Sequence, residues 1–158
     1  MSDATFEDGA EKPLRLVAFE AEDLQIISSL CQDAVFPAGE VSWRAKDRRF
    51  AVLLNRFRWE DAPKAAQRAR SYERVQTVLT VENAERVRSQ GMGREAGDVV
   101  MSLLNLGFTA GDGAAGSVVL TLAGDAVIEV AVEALEVTLR DVTRPYTAPS
   151  GAMPQHPA

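Results

Sequence analysis

"VSWRAKDRRFAVLLNRFRWE", residues 41–60, changes sides every residue on both flanks of a short polar break. Val41, Trp43 and Ala45 alternate with Ser42, Arg44 and Lys46; "KDR" then reads as a turn, and Phe50, Val52 and Leu54 mark a return strand. Successive side chains of an extended chain point to opposite faces, so a period of two is the signature of a half-buried strand. The stretch is therefore a β-hairpin, and it sets the fold class. Past Leu54 the aromatic parity changes, because Phe57 and Trp59 fall opposite Phe50 and Val52. That predicts either a bulge near Asn55 or a strand covered on both faces.

The same period recurs outward from this hairpin. "YERVQTVLTV" (72–81) alternates Val75, Thr77, Leu79 and Val81 against polar neighbours, and "ENAERVRSQ" (82–90) offers a turn and a shorter strand. "SVVLTLAGDAVIEVAVEALEVTL" (117–139) holds two β-branched runs joined at Ala123-Gly124-Asp125, a second hairpin. "DVVMSLLNLGFTAG" (98–111) fits a buried strand or a helix; the loop-like "FTAGDGAAGS" favours the strand. After Glu133 both a strand and a helix on Leu135, Leu139 and Val142 are open.

Ahead of the hairpin, "LRLVAF" (14–19) suits a strand. "EAEDLQIISSLCQDAV" (20–35) repeats Leu24, Ile27, Leu30 or Cys31, and Ala34 at helical spacing, with Glu22 and Asp23 in the first turn. A helix is expected near 21–34, stopped by Pro37 and Gly39. "EDAPKAAQRARS" (60–71) supports a short helix after Pro63. The expected architecture is one α+β domain dominated by antiparallel hairpins, with the 21–34 helix packed on the sheet. The likeness of "GEVSWRAKDRRFAVLLNRF" to "GSVVLTLAGDAVIEVAVEAL" would fit a duplicated half-domain. Residues 1–13 read as a disordered leader, 14–143 as the domain, and 144–158 as a disordered Pro-rich tail.

The chain has 158 residues, 46% of them apolar and 25% charged. A chain of that size buries roughly 70% of its unfolded surface, enough to fold without disulfide or metal staples. Its single cysteine, Cys31, excludes intramolecular disulfides and four-cysteine zinc sites. The start is polar and acidic, without the charged and apolar parts of a secretory signal, so a cytoplasmic location is expected. Apolar runs such as "GSVVLTLAG" stop short of the roughly 18 residues a membrane span needs.

Little in the sequence points to catalysis. The one histidine, His156, lies in the tail, which removes most His-dependent chemistry. Cys31 sits on the apolar stripe of the helix, where cysteine behaves as a small buried hydrophobe, and Ser28 and Ser29 have no histidine base. Glu129 with Glu133, and Glu22 with Asp23, read as solvated faces. "GMGREAG" and "GDGAAG" lack phosphate-loop spacing, and the second lacks the donors of a calcium loop. No cofactor or metal is implied.

Charge is where the sequence is uneven. Residues 41–74 hold ten Arg and Lys against four acids, while the remainder holds seven against nineteen, for a net charge of −6. Alternation sends Trp43, Phe50, Phe57 and Trp59 to the core and predicts that the cations face water. Arg44, Lys46, Arg48, Arg49, Arg56 and Arg58 are the candidate partner-binding residues, with an acidic protein as the partner. The overall charge disfavours nucleic acid. Charged strands of this kind also discourage edge-to-edge pairing without binding anything. The alternative is an enzyme or small-anion binder with a pocket between the sheet and the Gly-rich loops. Homo-oligomerisation through exposed hairpin edges is open.

The segments "LRLVAFEAEDLQIISSLCQDAV", "DRRFAVLLNRFRWE", "YERVQTV" and "GDAVIEVAVEALEVTLRDV" together resemble a bacterial family known as domain of unknown function 2948, over about residues 14–143. The resemblance implies a small stand-alone cytoplasmic protein. It supplies no reaction, cofactor or catalytic residue.

Overall fold

The computed structural model describes residues 13–69, 71–92, 98–147 and Pro154. The leader before Pro13 and the tail beyond Thr147, Pro154 apart, lie outside the described residues.

Period-two alternation becomes a single antiparallel sheet of eleven strands among the described residues. In chain order these are β1 (Arg15–Ala18), β2 (Val35–Pro37), β3 (Val41–Arg44), β4 (Arg49–Phe57), β5 (Glu73–Val81), β6 (Ala84–Gln90), β7 (Val100–Ala110), β8 (Gly116–Leu122), β9 (Ala126–Val132), β10 (Val137–Asp141) and β11 (Tyr146–Thr147). Two helices, α1 (Ala21–Leu30) and α2 (Ala62–Gln67), and one 3-10 turn (Ala38–Glu40) complete the described elements. The strand order is β1-β10-β5-β4-β2-β7-β8-β9-β6; β3 also pairs β4, and β11 also pairs β5. The α+β class is correct, with the sheet dominant.

One apolar face of this sheet makes one core. Phe50, Val52, Leu54, Leu79, Val81, Val137 and Leu139 come from the β1-β10-β5-β4 half, and Leu106, Val118, Leu120, Ile128, Val130 and Val132 from the β7-β8-β9-β6 half. Both halves share the same cluster because the sheet curls, and short β2 joins them between β4 and β7. On the far side the Ala84 N–H donates to the Arg48 carbonyl at 2.9 Å, bringing the start of β6 to the start of β4. Leu24, Ile27 and Cys31 of the α1 segment enter the core, and α1 packs against β7 and β1. Burying each large aliphatic side chain contributes about 1.5–3 kcal/mol.

Several local expectations resolve here. The 98–108 segment is strand from Val100 onward, and the segment after Glu133 forms strand β10. The helix expected near 21–34 ends at Leu30 instead. Asp33 takes a left-handed backbone (φ 63), its N–H donates to the Leu103 carbonyl at 2.8 Å, and Leu103 N–H returns to Ala34 O at 2.8 Å. Sheet pairing there replaces the last helical turn. Strand β4 has no bulge at Asn55, since its register to β5 runs unbroken from Phe50↔Val81 to Phe57↔Arg74. Phe57 is instead covered on the outer face, with Trp59 edge-on at 4.6 Å and Tyr72 at 5.6 Å between ring centroids. Order also extends past residue 143, because Tyr146 and Thr147 pair with Arg74 and Glu73 of β5. The two hairpins differ in surroundings: among the described residues β3 pairs only with β4, whereas β8 lies between β7 and β9.

Candidate functional site

The β3–β4 turn is built on Ala45–Arg48. Asp47 N–H donates to Arg44 O, and Arg48 N–H to Ala45 O, both at 3.1 Å. Arg48 adopts φ 52, a left-handed conformation uncommon for a residue with a Cβ. Its carbonyl receives the Ala84 N–H, and its guanidinium meets Glu133 at 2.7 Å. The turn therefore ties the start of β4 to the start of β6 and to the residue that follows β9.

The six cations of the basic stretch do not form one surface. Arg44 and Arg49 are direct cross-strand partners. Arg44 is 67% exposed, and its carboxylate contact is Asp47 at 3.8 Å. Lys46 is exposed at the tip and makes no ion pair among the described residues. Arg49 binds Glu82 at 2.7 Å, a hydrogen bond that pushes its pKa further up. Arg58 is largely covered and engages Glu73, with Asp61 at 3.7 Å.

Arg56 departs furthest from expectation, since it is fully buried. Phe50, Val52, Leu54 and Arg56 share one strand face, and that face is the core. Nη1 and Nη2 donate to the two Glu60 oxygens at 2.9 and 2.8 Å, and Nη2 also reaches Asp141 Oδ1 at 3.0 Å. Nε reaches Thr77 Oγ1 at 3.1 Å, and that hydroxyl donates to Asp141 Oδ1 at 2.8 Å. Asp141 Oδ2 accepts the Leu14 N–H at 2.9 Å. Burial would lower the Arg56 pKa, but Glu60 and Asp141 outweigh it and raise it. Burial likewise pushes Glu60 up, and Arg56 overrides it and holds Glu60 below the ordinary carboxylate value. Charge is buried here only because it is paired and hydrogen-bonded. The expectation that all six cations face water is corrected accordingly: Arg56 belongs to the core, and Arg58 to an ion-pair cluster beside it.

The aromatic half of the stretch is structural. Phe50 and Phe57 are fully buried, Trp43 packs against the core, and Trp59 Nε1 donates to Gln32 O at 2.9 Å. The charge asymmetry also has a structural meaning. The basic stretch is matched by acids brought from elsewhere: Glu82, Glu133 and Asp141.

The remaining candidates fall into place. Cys31 is fully buried, and burial pushes its thiol up to about 12. Ser28 Oγ accepts the Leu106 N–H at 2.9 Å and donates to Asn105 Oδ1 at 3.2 Å, filling the register shift of β7 against β8. Glu129 pairs with Arg88 at 3.0 Å, and Glu133 with Arg48. "GDGAAG" forms the β7–β8 turn, closed by Gly111 N–H to Ala115 O at 2.8 Å, while 93–97 of "GMGREAG" lie outside the described residues. Among the described residues no cluster of three or more His, Cys, Asp or Glu side chains has metal-site geometry. None of their helices is long and apolar enough to cross a membrane.

The partners of Arg56 escaped the sequence reading. Its inward direction was encoded in the parity of Phe50, Val52 and Leu54; Glu60 lies four residues on, but nothing local names Asp141 or Thr77.

The chain belongs to the family described as "Protein of unknown function (DUF2948)", whose model matches residues 14–156. No curated protein and no solved structure matches it.

Proposed function

We propose that the protein is a non-enzymatic interaction module whose β3–β4 hairpin tip docks an acidic protein partner. The observation that carries this is the state of Arg44 and Lys46. Both are exposed at the tip; Arg44 holds only a long 3.8 Å contact, and Lys46 has no ion pair among the described residues. Arg48 and Arg49 lie beside them, adding field while tied to Glu133 and Glu82. Exposed pairs contribute about 0–1 kcal/mol each, so the tip steers encounter more than it holds the complex. Cytoplasmic residence suits the single buried thiol of Cys31.

Affinity capture from bacterial lysate, comparing wild type with Arg44→Glu/Lys46→Glu, tests the proposal. The variant alters only exposed side chains, and matched thermal midpoints confirm that it is folded. An acidic protein retained after nuclease treatment, released by moderate salt and lost in the variant, is the expected outcome. Equal capture by both proteins, or capture abolished by nuclease, rejects the hairpin as a protein-docking element.

A further inference from the structure

We propose that the acidic protein partner of the hairpin tip lies across the outer face of the β1-β10-β5-β4-β3 half of the sheet, reaching from Arg44 to the cation pair Arg15 and Arg140. This rests on the docking role given to the tip above and extends it to a surface and to the kind of segment that fits it.

Strand register fixes what the outer face carries. Arg15 stands opposite Arg140, Arg140 opposite Val78, and Val78 opposite Leu53. In the next row Val17 meets Thr138, Thr138 meets Thr80, Thr80 meets Ala51, and Ala51 meets Ser42. Cross-strand partners point to the same side of a sheet. The residues that alternate with them, Ala18, Leu139, Leu79 and Val52 among them, line the core, so both rows look away from it. Arg44 and Arg49 form the row beyond Ser42 and Ala51, on the same face. The face is therefore continuous with the hairpin tip.

No residue of the two rows is buried, and none is a carboxylate. Val17 and Val142, each two residues from one of the arginines, are 41% and 43% exposed. Arg15 and Arg140 are both exposed, and neither makes an ion pair among the described residues, although like charges opposite each other on a ladder repel. Comparable cations elsewhere in the sheet are matched. Arg44 and Arg49 face each other in the same way, but Asp47 lies 3.8 Å from the first and Glu82 2.7 Å from the second. Arg88 has its own cross-strand partner, Glu129, at 3.0 Å. The carboxylates that Arg15 and Arg140 lack are what an acidic partner supplies.

Geometry narrows the partner to an extended segment. Arg44 and Arg15 lie four strand spacings apart across the sheet and two rows apart along it, roughly 23 Å, the span of about seven extended residues. Aliphatic side chains between its carboxylates would cover Leu53, Val78 and Val17. The two rows hold no aromatic ring, so the stacking platform of single-stranded nucleic-acid sites is missing from them.

Amide NMR of the isotope-labelled full chain, titrated with poly-L-glutamate, is the test. Signals of Arg44 and also of Val17, Thr138, Thr80 and Val78 should shift, while Val119 and Glu129, cross-strand partners in the other half of the sheet, stay in place. This wild-type map needs no variant. Arg15→Gln/Arg140→Gln relieves a like-charge contact, should be no less stable in urea than wild type, and should weaken poly-L-glutamate binding about three- to tenfold. Arg88→Gln, which removes a cation already matched by Glu129, should leave binding unchanged. Shifts confined to residues 41–49, with the Arg15/Arg140 variant binding as wild type does, overturn the extended surface and leave the tip reading standing. Outer-face shifts that persist at full affinity in Arg44→Glu/Lys46→Glu reject the tip and with it the continuous footprint. Tighter binding of a single-stranded oligonucleotide of equal charge, or shifts of the same signals with protein concentration alone, overturns the proposal in favour of nucleic acid or of a second copy.

Discussion

Arg56 Nη2 lies 3.0 Å from Asp141 Oδ1, a contact between residues 85 positions apart that fastens β4 to the end of β10 inside the core. Arg56 is fully buried, and the Asp141 side chain is 6% exposed. Thr77 of β5, the strand between them, donates to the same carboxylate oxygen. The pair is a tertiary lock on the order β10-β5-β4.

Removing Arg56 leaves the buried Asp141 without its counterion, and removing Asp141 leaves Arg56 with Glu60 alone and takes the acceptor from Thr77 and the Leu14 N–H. Asp141→Ala should cost about 3–5 kcal/mol, and Arg56→Ala a similar amount with an added cavity. Against a total stability of about 5–15 kcal/mol that is a large share. Urea unfolding measures it. A loss under about 1 kcal/mol would mean the network is a passive contact of the kind exposed pairs make.

Glu60 sets a pH dependence. Its folded-state pKa lies below the ordinary carboxylate value because of Arg56, so the folded form binds its proton less readily than the unfolded chain does. Its stabilisation is present above the unfolded value of about 4.3 and is lost as pH falls through the folded value. Wild type should therefore exceed Glu60→Gln in urea midpoint near neutrality, and the two should converge under acid. A gap that persists unchanged into acid would rule out this linkage.

Ser28 is a hydrogen-bond plug at a strand irregularity. Ser28→Ala deprives the buried Leu106 N–H of its acceptor at 2.9 Å and should cost about 1–3 kcal/mol. Ser29→Ala, one residue on and exposed, serves as the comparison, since Ser29 Oγ only donates to Ile26 O. Equal stability of the two variants would show that water takes over the Ser28 role.

Cys31 should be unreactive while the protein is folded. A buried thiol with a pKa of about 12 is almost wholly protonated near neutral pH, and the thiolate is the nucleophile. Labelling with a chromogenic disulfide should be slow in buffer, become rapid in urea, and follow the unfolding curve. Rapid labelling of the native protein would instead reveal frequent local opening around α1.

How much of this was legible in the chain depends on the range of the interaction. Alternation through Phe50, Val52 and Leu54, and through Ile128, Val130 and Val132, is a local consequence of extended geometry. Hairpins, strand faces and the core stripe of α1 follow from it without any knowledge of partners. The inward direction of Arg56 was available in the same way, from the parity of its own strand. The expectation that every cation faces water overrode it.

What only the tertiary structure decided is pairing across long separations. Nothing near residue 56 specifies Asp141, and nothing near Asp33 announces the bond to Leu103 that ends α1 at Leu30. Short β2 is placed between β4 and β7 by both neighbours at once, through Val35↔Asn55 and Val35↔Ser102. The physical reason is that side-chain direction is set by each residue's own backbone. The partner of a buried charge is instead set by which remote strand the whole core brings within about 3 Å.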